Sequence, residues 1–386
     1  MIPYGRQDIN VNDIQAVVDV LRSDFLTQGP VVPAFEKSIT DYCDVNYAVA
    51  VNSATSALHI ACLALGVGKG DIVWTSPITF VASANCALYC GADVDFVDID
   101  PDTYNMSVEC LSEKLMRAKE LGKLPKVVIP VHLCGQPCDM QRIYALSLEY
   151  GFKIIEDASH AIGGRYQDKP IGNCAFSDIT IFSFHPVKII TTGEGGMAIT
   201  NDEFLVKKLR LYRSHGITRE PLDMQNQPDG SWYYEQVELG FNYRMTDLQA
   251  ALGLSQMHRL DEFVKQRQFV AKRYDELLDG LPVLLPIQSK YSSSASHLYV
   301  VRLKTKEIFK THKEVFENLR KLGVGVNLHY IPVYCHPYYQ KLGFDSEYCI
   351  QANRYYDEAI SLPIYPTLSD MQQSHVVSAL RKALFE

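Results

Sequence analysis

From Tyr47 to about residue 199 the chain alternates short apolar runs with amphipathic segments of helical length. The run 47–51, Tyr-Ala-Val-Ala-Val, leads into a small, hydroxyl-rich stretch and then a helix-like segment to Leu65. Apolar runs recur at 72–75, 94–98, 126–132, 152–155, 179–184 and 197–199, and the stretches near 81–89, 108–120 and 140–150 read as helices between them. Near-continuous apolar strands separated by helices predict an α/β fold, a mainly parallel sheet covered by helices on both faces. In such sheets ligands sit at the carboxyl ends of the strands.

The pattern changes after Gly240. One long helical period spans 246–278 and breaks at Gly280-Leu281-Pro282. Beyond it come a strand at 297–303, a helix near 312–322, a strand at 324–329 and a final helix at 369–384, which together predict a small α+β domain. We therefore expect a large domain over 1–253, including the N-terminal segment, and a linking helix with a smaller domain over 254–386. Residues 218–232, with Pro221, Pro228, Asp229 and Gly230, read as a polar loop.

Candidate chemistry gathers at the predicted strand ends. Lys188 lies in Ser183-Phe184-His185-Pro186-Val187-Lys188, between the run 179–184 and the turn Gly193-Glu194-Gly195-Gly196. A lysine held there by ordered backbone can lose its proton and form a Schiff base with an aldehyde cofactor. Taken alone it reads more simply as a surface lysine at a strand edge. Asp157 ends another strand 31 residues earlier, in Ile154-Ile155-Glu156-Asp157-Ala158-Ser159-His160. A pyridoxal phosphate site needs both such a lysine and an acid paired with the ring nitrogen. The plainer account of Asp157 is a carboxylate capping the next helix.

Ser53-Ala54-Thr55-Ser56 sits at a strand-to-helix junction, where exposed amides and the positive helix end suit a cofactor phosphate, or where Ser53 is an ordinary cap. Ser183 is similarly placed. Phe80 is a candidate to stack on a planar ring, or a core phenylalanine. His160 is a candidate to buttress Asp157 or the ring, or a structural histidine. The glycines at 193–196 precede a strand, so they are a tight turn and no dinucleotide fingerprint.

Composition narrows the partners. Net charge is 37 − 45 = −8, against non-specific nucleic-acid binding, which needs a basic face. The N-terminus lacks the apolar core of a signal peptide, and no run reaches the roughly 20 apolar residues of a membrane helix. The chain reads as cytoplasmic. Its 10 cysteines are scattered through predicted elements, so most are expected to be reduced and buried. His132, Cys134 and Cys138 lack the paired CxxC spacing of structural zinc, and a turn after a strand is the better account, so no metal is expected.

With these residues in place the chain resembles the sugar-nucleotide aminotransferases of the DegT/DnrJ/EryC1/StrS family. The resemblance runs from Ile2-Pro3-Tyr4 through Asn52-Ser53-Ala54-Thr55-Ser56-Ala57, Asp100-Pro101-Asp102-Thr103-Tyr104-Asn105-Met106, Glu156-Asp157-Ala158-Ser159-His160-Ala161 and the lysine segment. It continues through Arg213-Ser214-His215-Gly216, Gly240-Phe241-Asn242-Tyr243-Arg244-Met245-Thr246 and His329-Tyr330-Ile331-Pro332. It implies the fold type I aminotransferase architecture, pyridoxal 5'-phosphate as cofactor, and a homodimer with active sites at the subunit boundary. By position, Ala54, Thr55 and Ser183 are implied phosphate contacts, Asp157 the ring-nitrogen partner and Lys188 the Schiff-base lysine. Asn242 is implied to reach the phosphate of the neighbouring subunit's cofactor. Dehydratase relatives carry histidine at the lysine position, so Lys188 favours amino transfer over dehydration or a non-catalytic regulatory role.

Within the family, Leu26-Thr27-Gln28-Gly29 and Phe182-Ser183-Phe184-His185 are most similar to members of pseudaminic acid biosynthesis. Those members aminate C4 of a UDP-linked 4-keto-6-deoxy-N-acetyl-hexosamine, with L-glutamate as donor. Tyr4, Leu26, Thr27, Gln28, Gly29, Ser56, Leu328, His329, Tyr330 and Ile331 are then implied on the substrate side. Another nucleotide-linked 3- or 4-keto sugar is the nearest alternative.

Overall fold

The computed structural model describes residues 1–386, and at its centre lies a sheet of seven strands. They are β1 (Tyr47–Val51), β2 (Ile72–Thr75), β3 (Asp93–Phe96), β4 (Val127–Ile129), β5 (Lys153–Asp157), β6 (Ile179–Ser183) and β7 (Gly196–Thr200). Their spatial order is β1-β7-β6-β5-β4-β2-β3. β7 alone runs against its neighbours, antiparallel to both β1 and β6, so the run at 197–199 returns down a sheet whose other members are parallel.

The sheet is buried on both faces because its side chains alternate between two apolar cores. Ala48, Ala50, Ile154, Phe182, Met197 and Ile199 face one core, shared with the helices Val31–Cys43, Val108–Glu120 and Met140–Tyr150. Val49, Val51, Ile155, Ile181 and Ala198 face the other, shared with Ala54–Ala64, Ala82–Tyr89 and Glu203–Arg213. Helix Val31–Cys43 and the N-terminal helix Val11–Leu21 were not anticipated in the pattern. No helix is long and apolar enough to cross a membrane.

A second, antiparallel sheet is built from Val283–Leu284, Tyr299–Leu303 and Ala359–Leu362, over a third core containing Tyr274, Val301, Leu319, Ile360 and Leu380. Helices His312–Lys321 and Asp370–Phe385 cover it. The helical period 246–278 is two helices, Asp247–Met257 and Leu260–Leu277. The break falls at Arg259, whose guanidinium leaves the helix line to bind Asp8 at 2.7 Å and Asp13 at 2.6 Å. The expected boundary at 253/254 thus lies inside a helix.

Residues 324–329 do not form the expected strand. Val324 bridges Ile2 and Asn327 bridges Ser361, with no ladder between them. That opening is what admits the N-terminus: Ile2 N–H donates to Gly323, Gly325 N–H to Ile2, and Ile364 N–H to Tyr4. Tyr4 is therefore carried inward on a pinned segment.

At the opposite edge, a Cβ on Gly196 would lie 2.4 Å from the Ala54 amide nitrogen and 2.5 Å from the Ser53 carbonyl carbon. Glycine is what lets β7 abut the start of helix Ala54–Ala64. Gly196→Ala is expected to cost about 1–3 kcal/mol in chemical denaturation, whereas Gly68→Ala, which would meet nothing within 4 Å, should stay within roughly 0.5 kcal/mol of the parent.

Candidate active site

Three strand ends converge on one cavity of about 580 Å³. At the end of β1, Ser53 adopts extended backbone and its hydroxyl accepts the Ser56 N–H at 3.1 Å, capping helix Ala54–Ala64. Ala54 and Thr55 open that helix, so their amides have no carbonyl partner within it, and both residues line the cavity. Ser183, at the end of β6, lines it as well. The loop from 185 to 195 is pinned at its base, where Phe184 N–H donates to Gly195 and Thr192 N–H to Phe184. Lys188 rides on it, its own N–H donating to the His185 carbonyl at 2.9 Å.

Asp157 ends β5, beside Ile181 of β6. It does not cap a helix end. One carboxylate oxygen accepts the Ser159 N–H at 3.1 Å, the other the Ser83 hydroxyl at 2.6 Å, and the group faces the cavity. His160 follows, with Nε2 3.2 Å from the Tyr330 hydroxyl and Nδ1 buried without a partner. Phe80 lies at the cavity edge, more than half exposed and 6.3 Å from the Tyr330 ring, so it is not a core residue. Tyr4, Leu328, His329 and Tyr330 close the far side.

The cavity favours uncharged bases. Burial pushes the Lys188 ammonium down to about 8, partly opposed by the Asp157 charge. Burial, reinforced by Lys188, holds His160 and His297 well below their usual range and His329 at about 3. Three neutral imidazoles therefore surround the amine. Lys188 and Asp157 are the pair on which the site's charge turns.

Other expected residues fall elsewhere. Ser56 is buried behind the cavity wall, its hydroxyl spent on Asn52 at 2.7 Å and Ser53 at 3.0 Å. Ile331 turns outward and is exposed. Asn242 is exposed and bridges Ser214, away from this chain's own cavity. Leu26, Thr27, Gln28 and Gly29 do not line it either. Thr27 bridges Thr246, and a Cβ on Gly29 would collide with the Asp247 carboxylate, so this segment is built onto the start of helix Asp247–Met257. Gln28 lines a separate open groove with His215, Arg219, Tyr234 and Arg244. His132 engages Glu156 through Nε2 at 2.8 Å and accepts the Cys138 N–H on Nδ1 at 3.2 Å, so both ring nitrogens are committed within the protein.

Two residues went unread. Ser83 contacts Asp157 from a helix that follows another strand, and no local pattern signals a contact 74 residues away. His297 lines the cavity, buried, with Nδ1 unpartnered. Its only signal was position, at the start of the apolar run read as a strand over 297–303.

A half-buried lysine on the loop after one strand and a buried aspartate at the end of its neighbour, beside a capped helix start in a mostly parallel sheet of this order, define a fold type I aminotransferase. More narrowly, the chain belongs to the DegT/DnrJ/EryC1/StrS aminotransferase family, whose profile matches residues 7–381. It is 40% identical to the spore coat polysaccharide biosynthesis protein SpsC of Bacillus subtilis, over 98% of this chain and 96% of that one. It is 38% identical to the UDP-4-amino-4,6-dideoxy-N-acetyl-beta-L-altrosamine transaminase of Campylobacter jejuni, over 96% and 94%. Helicobacter pylori PseC, an aminotransferase involved in the biosynthesis of pseudoaminic acid, superposes with a TM-score of 0.90 at 30% identity, over 99% of each chain. The protein is a sugar aminotransferase of a family that depends on pyridoxal phosphate.

The residues present fit that cofactor: a helix start with free amides, an acid facing the cavity, a low-pKa amine, and two buried imidazole nitrogens left without partners. In the cofactor-free protein Lys188 should react with an amine-selective acylating reagent with a rate that rises through about pH 8. Exposed lysines titrate near 10.4. Peptide mapping across a pH series checks this, and labelling of Lys188 that tracks the exposed lysines would refute the low value.

Proposed function

We propose that this enzyme moves an amino group from L-glutamate to C4 of a UDP-linked 4-keto-6-deoxy-N-acetyl-hexosamine, using pyridoxal phosphate held in the Lys188 cavity. The observation that carries the reading is the placement of Lys188 and Asp157 on one cavity, beside the amides of Ala54 and Thr55. Bound there, pyridoxal phosphate supplies an aldehyde carbon to carry the amino group and a ring that accepts electrons. Ala54, Thr55 and Ser183 would hold its phosphate, and Asp157 would hold the proton on its ring nitrogen. His160 would pack on the ring, with Phe80 at the edge.

Lys188 has two tasks. Its amine would hold the cofactor covalently, and as a free amine it would serve as the base and acid that moves a proton at the carbon gaining or losing nitrogen. A pKa near 8 suits both, because a sizeable fraction is already neutral at pH 7–8. The wall of Tyr4, Leu328, His329 and Tyr330 lines the same cavity and would face the sugar.

The substrate carries a pyrophosphate and the donor two carboxylates, yet no arginine lines the cavity. This supports a homodimer in which a second copy completes the site. The exposed Asn242 and the groove of Gln28, His215, Arg219 and Arg244 are the surfaces offered to it. The names of the Campylobacter and Helicobacter proteins support the sugar. Higher identity to SpsC supports a second reading, the same reaction on another nucleotide-linked 3- or 4-keto sugar. Lysine at position 188 disfavours a dehydratase or a regulatory relative.

Turnover with L-glutamate and a panel of nucleotide-linked keto sugars, followed by identification of the amino sugar, separates these readings. A 4-amino product from the UDP-4-keto-6-deoxy-N-acetyl-hexosamine is expected, and Lys188→Ala should slow it by roughly a thousandfold or more. Multiple turnover at the parental rate by Lys188→Ala would remove the covalent role.

A further inference from the structure

Asp157 is held by a directed chain of hydroxyls. The Ser83 hydroxyl stands 2.6 Å from one Asp157 carboxylate oxygen, and the Thr79 hydroxyl 2.8 Å from that of Ser83. An ionised carboxylate only accepts, so Ser83 donates its one proton to Asp157 and accepts from Thr79. The competing Phe80 carbonyl is farther from Ser83, at 3.4 Å. Ser83 is 1% exposed, Thr79 3% and Asp157 4%, so the chain of hydroxyls is shielded from bulk water and each link is made by a protein group. The second oxygen of Asp157 accepts the Ser159 N–H. Two donors from different elements thus fix the plane of the carboxylate.

We propose that Ser83, backed by Thr79, is a positioning residue that keeps Asp157 ionised and aimed so that the proton of the cofactor pair resides on the ring nitrogen. Hydrogen bonds to a carboxylate favour its charged form, and the same bonds stop it rotating away. Loss of the Ser83 donor acts in one direction by both routes: the proton moves toward Asp157 and the ring becomes a weaker electron sink. Segment 79–83 then serves the cofactor twice, with Phe80 at the cavity edge and Ser83 behind the acid. This inference rests on the pyridoxal phosphate reading above.

The test uses holoenzyme loaded with pyridoxal phosphate labelled with ¹⁵N in the ring, whose chemical shift reports the protonated fraction. The parent should show a protonated ring nitrogen, Ser83→Ala a clearly reduced protonated fraction with kcat lowered about tenfold, and Thr79→Val a smaller change of the same sign. KM for either substrate should change little, since both hydroxyls are committed to each other and to Asp157. A parental ring-nitrogen signal in both Ser83→Ala and Thr79→Val, while Asp157→Asn alters it, would overturn the relay and leave the function standing. An Asp157→Asn spectrum identical to the parent, or no binding of the cofactor at all, would instead overturn the reading of the site.

Discussion

The parallel pairing of β5 with β6 is the constraint from which the site follows. Asp157 lies beside Ile181, and the Ala158 N–H donates to the Ile181 carbonyl at 2.9 Å, so the two strands end at the same edge. Because both run the same way, the acid and the loop carrying the lysine emerge on one side of the sheet. A register shift of one residue would turn Asp157 to the opposite face. β7 then closes the arrangement. Running back between β6 and β1, it brings Gly196 against Ser53 and Ala54 and draws the start of helix Ala54–Ala64 to the same edge.

Burial converts this geometry into chemistry. The low value of Lys188 comes from desolvation, and the neighbouring histidines stay neutral for the same reason, so they do not add repelling charge of their own. The buried Asp157 carboxylate accepts from the backbone of Ser159 and the hydroxyl of Ser83, which offsets part of the cost of its burial. Formal charge on the cavity wall is confined to Lys188, Asp157 and the exposed Glu194 at its rim, while the amides of Ala54 and Thr55 offer positive character without a formal cation.

Much of this was legible in the sequence because it is local. Apolar runs at strand length marked the sheet, and Lys188, Asp157 and the Ser53 junction each announced themselves within a few residues. What the sequence concealed was long-range or directional. The reversal of β7 leaves no trace in the run 197–199, since a fully buried strand reads the same in either direction. The run 324–329 looked like a strand because its apolar residues are buried, yet it bonds to the N-terminus instead of a ladder. Ser56 belongs to the motif of the junction but its hydroxyl points back to Asn52, a matter of side-chain direction. Ser83 and His297 reach the site only through tertiary packing. The loop 26–29, expected on the substrate side, lies outside this chain's own cavity, where a single chain's sequence cannot show what meets it.

The central claim is that Lys188 and Asp157 grip two ends of one bound ring. A crystal structure of the protein with pyridoxal phosphate tests it most directly. The account predicts continuous density from Lys188 Nζ to the cofactor, the ring nitrogen within about 3 Å of an Asp157 oxygen, and the phosphate at the Ala54 and Thr55 amides. A cofactor bound elsewhere, or in this cavity with its ring nitrogen turned away from Asp157, would contradict it.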